Sequence, residues 1–243
     1  MKSFKRIAAL LILCCFLGGC QPSKEQPSAA TAGSEPADTT AAALAVPNDY
    51  VSDGKEETFT YTDKGGEEHQ TVYRIPKLNF TDSDAQAINA AVSEKYGADF
   101  EAAAQANGAP EYLSINYGAF TNDDIISLLI TAEDQAHHLT YSAFNYNKKT
   151  NKQLDNAGLL AYLQRDYDQT FSDLQDALQD DYLSKYQYEN FPDDYYYQLE
   201  MTAGDEAVRQ STLYLNENGE LYAVCTERVS LGEGEFQVLI SAT

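Results

Sequence analysis

The run Ile125 to Ala132 places apolar side chains on both faces of the strand it predicts. A strand of that kind belongs in the middle of a sheet, because either face left to water would expose a row of hydrocarbon. Its neighbours in sequence supply the flanks. Tyr112 to Phe120 predicts a strand before it, joined through the turn Thr121-Asn122-Asp123-Asp124, and His138 to Asn147 predicts one after it. The third strand ends in the polar turn Lys148 to Lys152. The three form a meander around a buried centre.

Elements on either side extend this pattern. Phe59 to Tyr61 alternates with Thr58, Thr60 and Thr62, as a half-buried strand does. Lys64-Gly65-Gly66 makes a turn into a second strand, Val72 to Leu78, which Pro76 marks as an edge or an end. Asp82 or Ser83 then caps a helix whose Ile88, Val92, Tyr96 and Phe100 recur every four residues, with Ala85 and Ala103 on the same stripe. Asn107-Gly108 stops it, and Pro110 follows. After the meander, Leu160, Leu163, Tyr167, Phe171, Leu174, Leu178 and Tyr182 hold a helical spacing, as one helix or as two broken near Gln164 to Asp166. Tyr195 to Met201 is expected to be a strand. Thr212 to Leu215, Leu221 to Thr226 and Phe236 to Ile240 are strands too, the first two joined at Asn216 to Gly219. Consecutive strands on short turns, interrupted by helices, predict an α+β fold: antiparallel sheets with helices packed on one face, as two α+β lobes in one compact body. The lobes are expected at 49–155 and 156–243.

The start of the chain is of another kind. Lys2, Lys5 and Arg6 precede an apolar run from Ile7 to Leu17, far shorter than the roughly 30 Å of a membrane's hydrocarbon core requires. This is a signal-peptide core, residues 1–19. Leu17-Gly18-Gly19-Cys20 resembles the lipobox of bacterial lipoproteins, whose Cys becomes the lipidated first residue; Cys20 is therefore the expected lipid attachment site and the chain's link to a membrane. Residues 20–48 are Pro, Ser, Ala, Thr and Gly with a few charges and no aromatic residue, a flexible tether spanning on the order of 30 Å. Of the four cysteines, Cys14 and Cys15 leave with the signal, and lipid on Cys20 leaves Cys225 without an intramolecular partner, expected as a buried apolar residue. The folded body must stand on its core.

Charge limits the partners. Thirty-eight acids against 16 basic residues give a net −22, and the signal removes three positive charges and no negative one. Nucleic acid is excluded, since its phosphates need Lys and Arg. Anionic wall polymers are repelled for the same reason. Eighteen Tyr and 10 Phe exclude a disordered chain.

The body resembles the extracytoplasmic module of RsiV-type anti-sigma factors and PdaC-type peptidoglycan deacetylases. Ser114-Ile115-Asn116-Tyr117 resembles that family's first meander strand, Ala136-His137 its Gly-Gly-Ala-His stretch, and Phe144-Asn145-Tyr146 with Lys149 to Lys152 its strand and Lys-Thr-Gly-Lys-like turn. Leu213-Tyr214-Leu215 with Asn218-Gly219 resembles its Phe-Tyr-Leu…Asp-Gly hairpin. Asp134, Gln135 and Asn151 stand where the family has glycines, and the segment after Cys225 lacks its Pro-Tyr-rich stretch. The resemblance implies recognition of an envelope ligand, lysozyme in the anti-sigma branch. The few residues ahead of the apolar run argue against an anti-sigma role, and the end of the chain at Thr243 leaves no room for a following deacetylase domain.

No catalytic, cofactor-binding or metal-binding set is expected. His137 and His138 are adjacent, so on a strand they point to opposite faces and share an ion poorly; His69 is expected solvated in a charged loop. The pairs Asp82/Asp84, Asp123/Asp124, Asp180/Asp181 and Asp193/Asp194 lack the alternating oxygens and Gly of a calcium loop, and fit caps, turns and solvated faces. No Gly-x-Ser-x-Gly, His-Glu-x-x-His, P-loop or Cys-x-x-Cys occurs. One cluster stands out: Tyr182, Tyr186, Tyr188 and Tyr195 to Tyr197 interleave with Glu189, Asp193 and Asp194. Tyr186, Tyr188, Tyr195 and Tyr196 are the candidate partner surface, the alternative being that these rings fill the core. Three functions remain open: a lipid-anchored extracytoplasmic module binding lysozyme or another cationic protein, a structural or accessory envelope lipoprotein, and a wall-active enzyme.

Overall fold

The computed structural model describes residues 48–62, 65–105, 110–186, 192–229 and 234–242. The first sheet has six strands in sequence order: β1 (Val51–Thr62), β2 (Glu68–Leu78), β3 (Tyr112–Asn122), β4 (Ile125–Asp134), β5 (Leu139–Asn147) and β6 (Lys152–Leu154). Between β2 and β3 runs α1 (Ser83–Gln105). A helix inserted between neighbouring strands returns the chain to the end it left, so β2 and β3 run parallel. The sheet is therefore mixed, not purely antiparallel as the sequence suggests. The remaining chain folds as α2 (Asn156–Tyr162), α3 (Tyr167–Tyr186), α4 (Pro192–Ala203), α5 (Asp205–Arg209), β7 (Thr212–Leu215), β8 (Leu221–Val229) and β9 (Gly234–Ser241). The last three strands form an antiparallel sheet. The fold is α+β.

Four layers result. The apolar stripe of α1, Ile88, Val92, Tyr96 and Phe100, is buried on one face of the first sheet with Ile115, Tyr117, Ile126, Leu128 and Ile130. Burial of each large side chain contributes about 1.5–3 kcal/mol. The opposite face of β4 turns towards the second sheet: Leu129 packs with Phe120 of β3 and with Tyr214 and Val224 of β7 and β8. The far face of the second sheet, Leu213, Leu221, Ala223, Cys225 and Ile240, is covered by Leu159, Leu160, Phe171, Leu174 and Leu178 of α2 and α3. Each sheet thus carries helices on one face, and the two sheets meet across the other. The two-sided hydrophobicity of β4 has this cause: α1 covers one side and a second sheet the other.

Polar side chains fasten the junction. β7 is an edge strand with backbone groups that no strand pairs. Asn156 Nδ2 donates to Ser211 O (2.7 Å) and its Oδ1 accepts from Leu213 N (2.9 Å). Asn145 Nδ2 donates to Leu213 O (2.7 Å), and Leu215 N donates to Ser127 Oγ (3.0 Å). Ser127 in turn donates to Asn145 Oδ1 (2.7 Å), and Asn122 Nδ2 reaches Asn216 O (3.0 Å). Ser127 and Asn145 are fully buried. These side chains stand in for a neighbouring strand, which also blocks the edge against foreign pairing.

Several expectations change. Tyr195 to Met201 is helical. Pro192 opens α4 at a position where its missing N–H costs nothing, and Tyr195, Leu199 and Thr202 then fall on one face, packed against α3 and β8. The long periodic segment is two helices. α2 ends in a Schellman cap, with Arg165 N donating to Leu160 O (2.9 Å) and Gln164 N to Ala161 O (3.2 Å), Gln164 taking φ 56°. Asp166 starts α3 by accepting from Gln169 N (2.8 Å). The turn expected at Lys148–Lys152 is shorter, and Lys152 already pairs with Asn147 in β6.

Candidate functional site

Among the described residues, the helical layer over the second sheet gathers acidity and exposed aromatic rings. α3 turns Leu174, Leu178 and Tyr182 inward, so Asp173, Asp176 and Asp180, spaced three and four apart, share its exposed side. Between Asp166 and Val208 the sequence carries one basic side chain, Lys185. Its ammonium is already engaged, 2.6 Å from Asp181 Oδ2 and 3.2 Å from Glu227 Oε2. Glu227 is fully buried on β8, and burial together with its hydrogen bond to Asp181 pushes its carboxyl up to about 7. Lys185 itself titrates above its ordinary range: burial lowers it, but the hydrogen bond it donates to Asp181 and the charge of Glu227 outweigh that.

The tyrosines divide. Tyr182 is buried, with Tyr186 tilted against it at 4.7 Å and Tyr195 at 5.7 Å. Tyr195 is 9% exposed and belongs to the core, and Tyr186 is half-buried. Tyr196 and its neighbour Tyr197, at 66% and 59% exposure, are the most exposed large apolar side chains among the described residues. Tyr197 belongs to the tyrosine cluster of the sequence but not to the four residues expected as partner surface; the helical period of α4, once recognised, places it with Tyr196 and Glu200 on the outer side. Tyr188 and Cys20 lie outside the described residues.

The other sequence candidates have local partners. Asp82 caps α1, accepting from Asp84 N and Ala85 N (3.1 Å each), and takes the Tyr146 hydroxyl at 2.5 Å, a bond that holds its carboxyl below the usual range. Asp84 accepts from Gln153 N (3.1 Å). His137 and His138 go to different carboxylates, Glu133 at 2.6 Å and Asp134 at 3.3 Å. His69 lies on β2, stacked on Tyr61 at 5.3 Å, rather than in a solvated loop. Cys225 is buried and accepts from Ser211 Oγ (3.3 Å), and burial pushes its thiol up to about 11, away from reactivity. Among the described residues no three His, Cys, Asp or Glu side chains converge as metal ligands, and no helix is long and apolar enough to cross a membrane.

No family model matches the chain, and no curated protein matches it. Among solved structures it is similar to a DUF3298 family protein from Pseudomonas aeruginosa PAO1, at 11% identity over 77% of this chain and 93% of the other, with a TM-score of 0.33. It is also similar to a member of that family from Bacteroides fragilis NCTC 9343, at 10% identity over 77% and 87%, with a TM-score of 0.31. Both likenesses are too distant to bear on function.

Proposed function

We propose that the chain is a lipid-anchored extracytoplasmic module that binds a cationic protein, lysozyme being the first candidate, through the helical layer of α3 and α4. The observation that carries this reading is the pairing of exposed Tyr196 and Tyr197 with a segment whose one basic side chain is already spent on Asp181 and Glu227. Tyr gives a rigid, amphipathic contact surface, and uncompensated carboxylates raise the local concentration of a positive partner and speed its encounter. The lipobox-like Leu17 to Cys20 and the tether behind it support a position outside the membrane, and the motif resemblance supports the choice of lysozyme.

The test is association kinetics with lysozyme for the wild type and two variants. Asp173→Asn/Asp176→Asn/Asp180→Asn should slow association several-fold with little change in dissociation, because it weakens steering. Tyr196→Ala/Tyr197→Ala should speed dissociation by tenfold or more, the effect of losing about 1.4 kcal/mol or more of contact. Wild-type kinetics in both variants would remove the helical layer as the surface.

A further inference from the structure

The first sheet ends in an edge that β6 covers only in part. β6 pairs with Asn145 to Asn147, and after Leu154 the chain leaves the sheet as Asp155 caps α2. Among the described residues no strand pairs with the outer side of Leu139 to Phe144.

The ladder fixes which backbone groups point outwards there. At the two ends of β5, Asp134 N donates to His138 O (2.9 Å) and Lys148 N to Asp124 O (2.9 Å), so the even-numbered residues bond towards β4. The odd-numbered ones turn the other way. Asn145 and Asn147 face Leu154 and Lys152 of β6, and Tyr141 N donates to the side-chain Oε1 of Gln237 on β9. Tyr141 O and both the N–H and the C=O of Ala143 therefore point out of the sheet, with no bonding partner among the described residues.

Space follows the same edge. A cavity of about 380 Å³ is lined by Tyr141, Ser142, Ala143 and Phe144 in succession. Successive side chains of a strand point to opposite faces, so one cavity meets four in a row only along the edge. Past Ala143 and Phe144 a second cavity, of about 330 Å³, reaches Leu154 and Asp155, where β6 leaves the line. Gln210, Ser211 and Thr212 wall both. Tyr141 to Phe144 are half-buried, whereas Asn145 to Asn147 beside β6 are buried.

A cation stands next to this edge. Ser142 faces α1, and Lys95 Nζ lies 2.7 Å from its Oγ. Among the described residues no carboxylate pairs with Lys95, in a chain of 38 acids. A residue opposite Ser142 on an added strand would project to the same side, its Cβ about 5 Å from that of Ser142 and within reach of Lys95.

We propose that the open edge of β5 takes an extended segment of another polypeptide, which continues the line of β6, bonds through its backbone to Tyr141 and Ala143, and sets an Asp or Glu side chain against Lys95. A second copy of this chain does not fit. Two such edges paired about a two-fold axis would carry both Gln210 to Thr212 walls on the same face, where they collide. The edge shares no carboxylate or exposed tyrosine with the helical layer of α3 and α4, and its occupancy does not depend on a cationic partner.

Amide hydrogen exchange of the full chain is the first test. The Ala143 amide should exchange about tenfold or more faster than those of Ser142 and Phe144, which bond to β4; equal protection would show the edge already covered and overturn the proposal. Short random peptides displayed on phage are then selected on the full chain. Enriched peptides should carry an Asp or Glu and, when bound, protect the Ala143 amide. Ala143→Pro removes an outward N–H and no ladder bond, so it should leave the unfolding transition in place and weaken binding about tenfold or more. Peptides N-methylated at alternate backbone nitrogens test the same contact without altering the protein; one of the two methylation registers should weaken binding as much. Lys95→Gln should weaken the acidic peptides about twofold to fivefold and leave their Gln analogues unchanged. The proposal falls if no peptide is enriched, if every enriched peptide still binds after Ala143→Pro and in both methylated registers, or if Lys95→Gln changes nothing. A dimer of the full chain that Ala143→Pro dissolves also overturns it, because a second copy would then hold the edge.

Discussion

Replacing Asn145 by Leu and Ser127 by Ala tests whether the two sheets are fastened by the buried polar pair. Asn145→Leu leaves Leu213 O without its donor and the Ser127 hydroxyl without its acceptor. Ser127→Ala leaves Leu215 N without its acceptor and Asn145 Oδ1 without its donor. Each orphaned buried group costs about 1–3 kcal/mol, so each single variant should lose roughly 2–5 kcal/mol, with Asn145→Leu recovering part through added apolar burial. The double variant orphans only Leu213 O and Leu215 N, because the two groups lost to one another are gone together. It should therefore be less destabilised than the sum of the singles by about 2 kcal/mol. Urea unfolding of the full chain, followed by the tyrosine near-ultraviolet signal, measures all three. Losses under about 1 kcal/mol per single variant, or strict additivity, would show that apolar packing alone holds the sheets together and would refute the reasoning.

Three other outcomes are expected. Gln164→Gly should stabilise the protein by about 0.5–1 kcal/mol in thermal melts, since Gly occupies the left-handed cap of α2 without the Cβ penalty. The carboxyl of Glu227 is raised above its value in the unfolded chain, so the unfolded state releases this proton first as pH rises; the contribution of this group to stability is fully present below the ordinary carboxylate range and is lost as pH rises towards about 7, opposite in sign to that of Asp82, Asp84 and Asp134, whose lowered carboxyls lose theirs on acidification. The loss should be on the order of 2 kcal/mol, and Glu227→Gln should flatten that part of the melting-temperature profile. Cys20→Ala, expressed in a bacterial host, should abolish metabolic labelling by palmitate and release the protein from the membrane fraction; retained label would remove Cys20 as the lipid site.

Much of the fold is legible where one periodicity dominates. The four-residue repeat of Ile88, Val92, Tyr96 and Phe100 announces α1, and the two-sided apolarity of Ile125 to Ala132 places β4 at the centre. What covers β4 is not legible, because a burial pattern records that a face is dry and not which element dries it. Ser127 carries the missing hint: a hydroxyl inside an apolar strand needs a partner, and that partner lies on β5 with β7 beyond it. Three consecutive tyrosines favour a strand by propensity, yet Pro192 and the packing of Tyr195, Leu199 and Thr202 decide for a helix. The same switch of period redistributes the candidate surface, sending Tyr195 into the core and leaving Tyr197 beside Tyr196 outside. The charged first half of β1, Ser-Asp-Gly-Lys-Glu-Glu, has no apolar alternation to announce a strand, although its backbone pairs with β2 on either side of a bulge at Gly54.

Binding of lysozyme to the full chain at two salt concentrations tests the central claim most directly. At about 20 mM NaCl the Debye length is near 20 Å, and carboxylates across the whole helical layer act on the partner; at about 300 mM it falls to roughly 6 Å. A complex should form at low salt and weaken more than about tenfold at high salt, chiefly through slower association. The absence of a complex at low salt, or an affinity that salt does not move, would contradict the account.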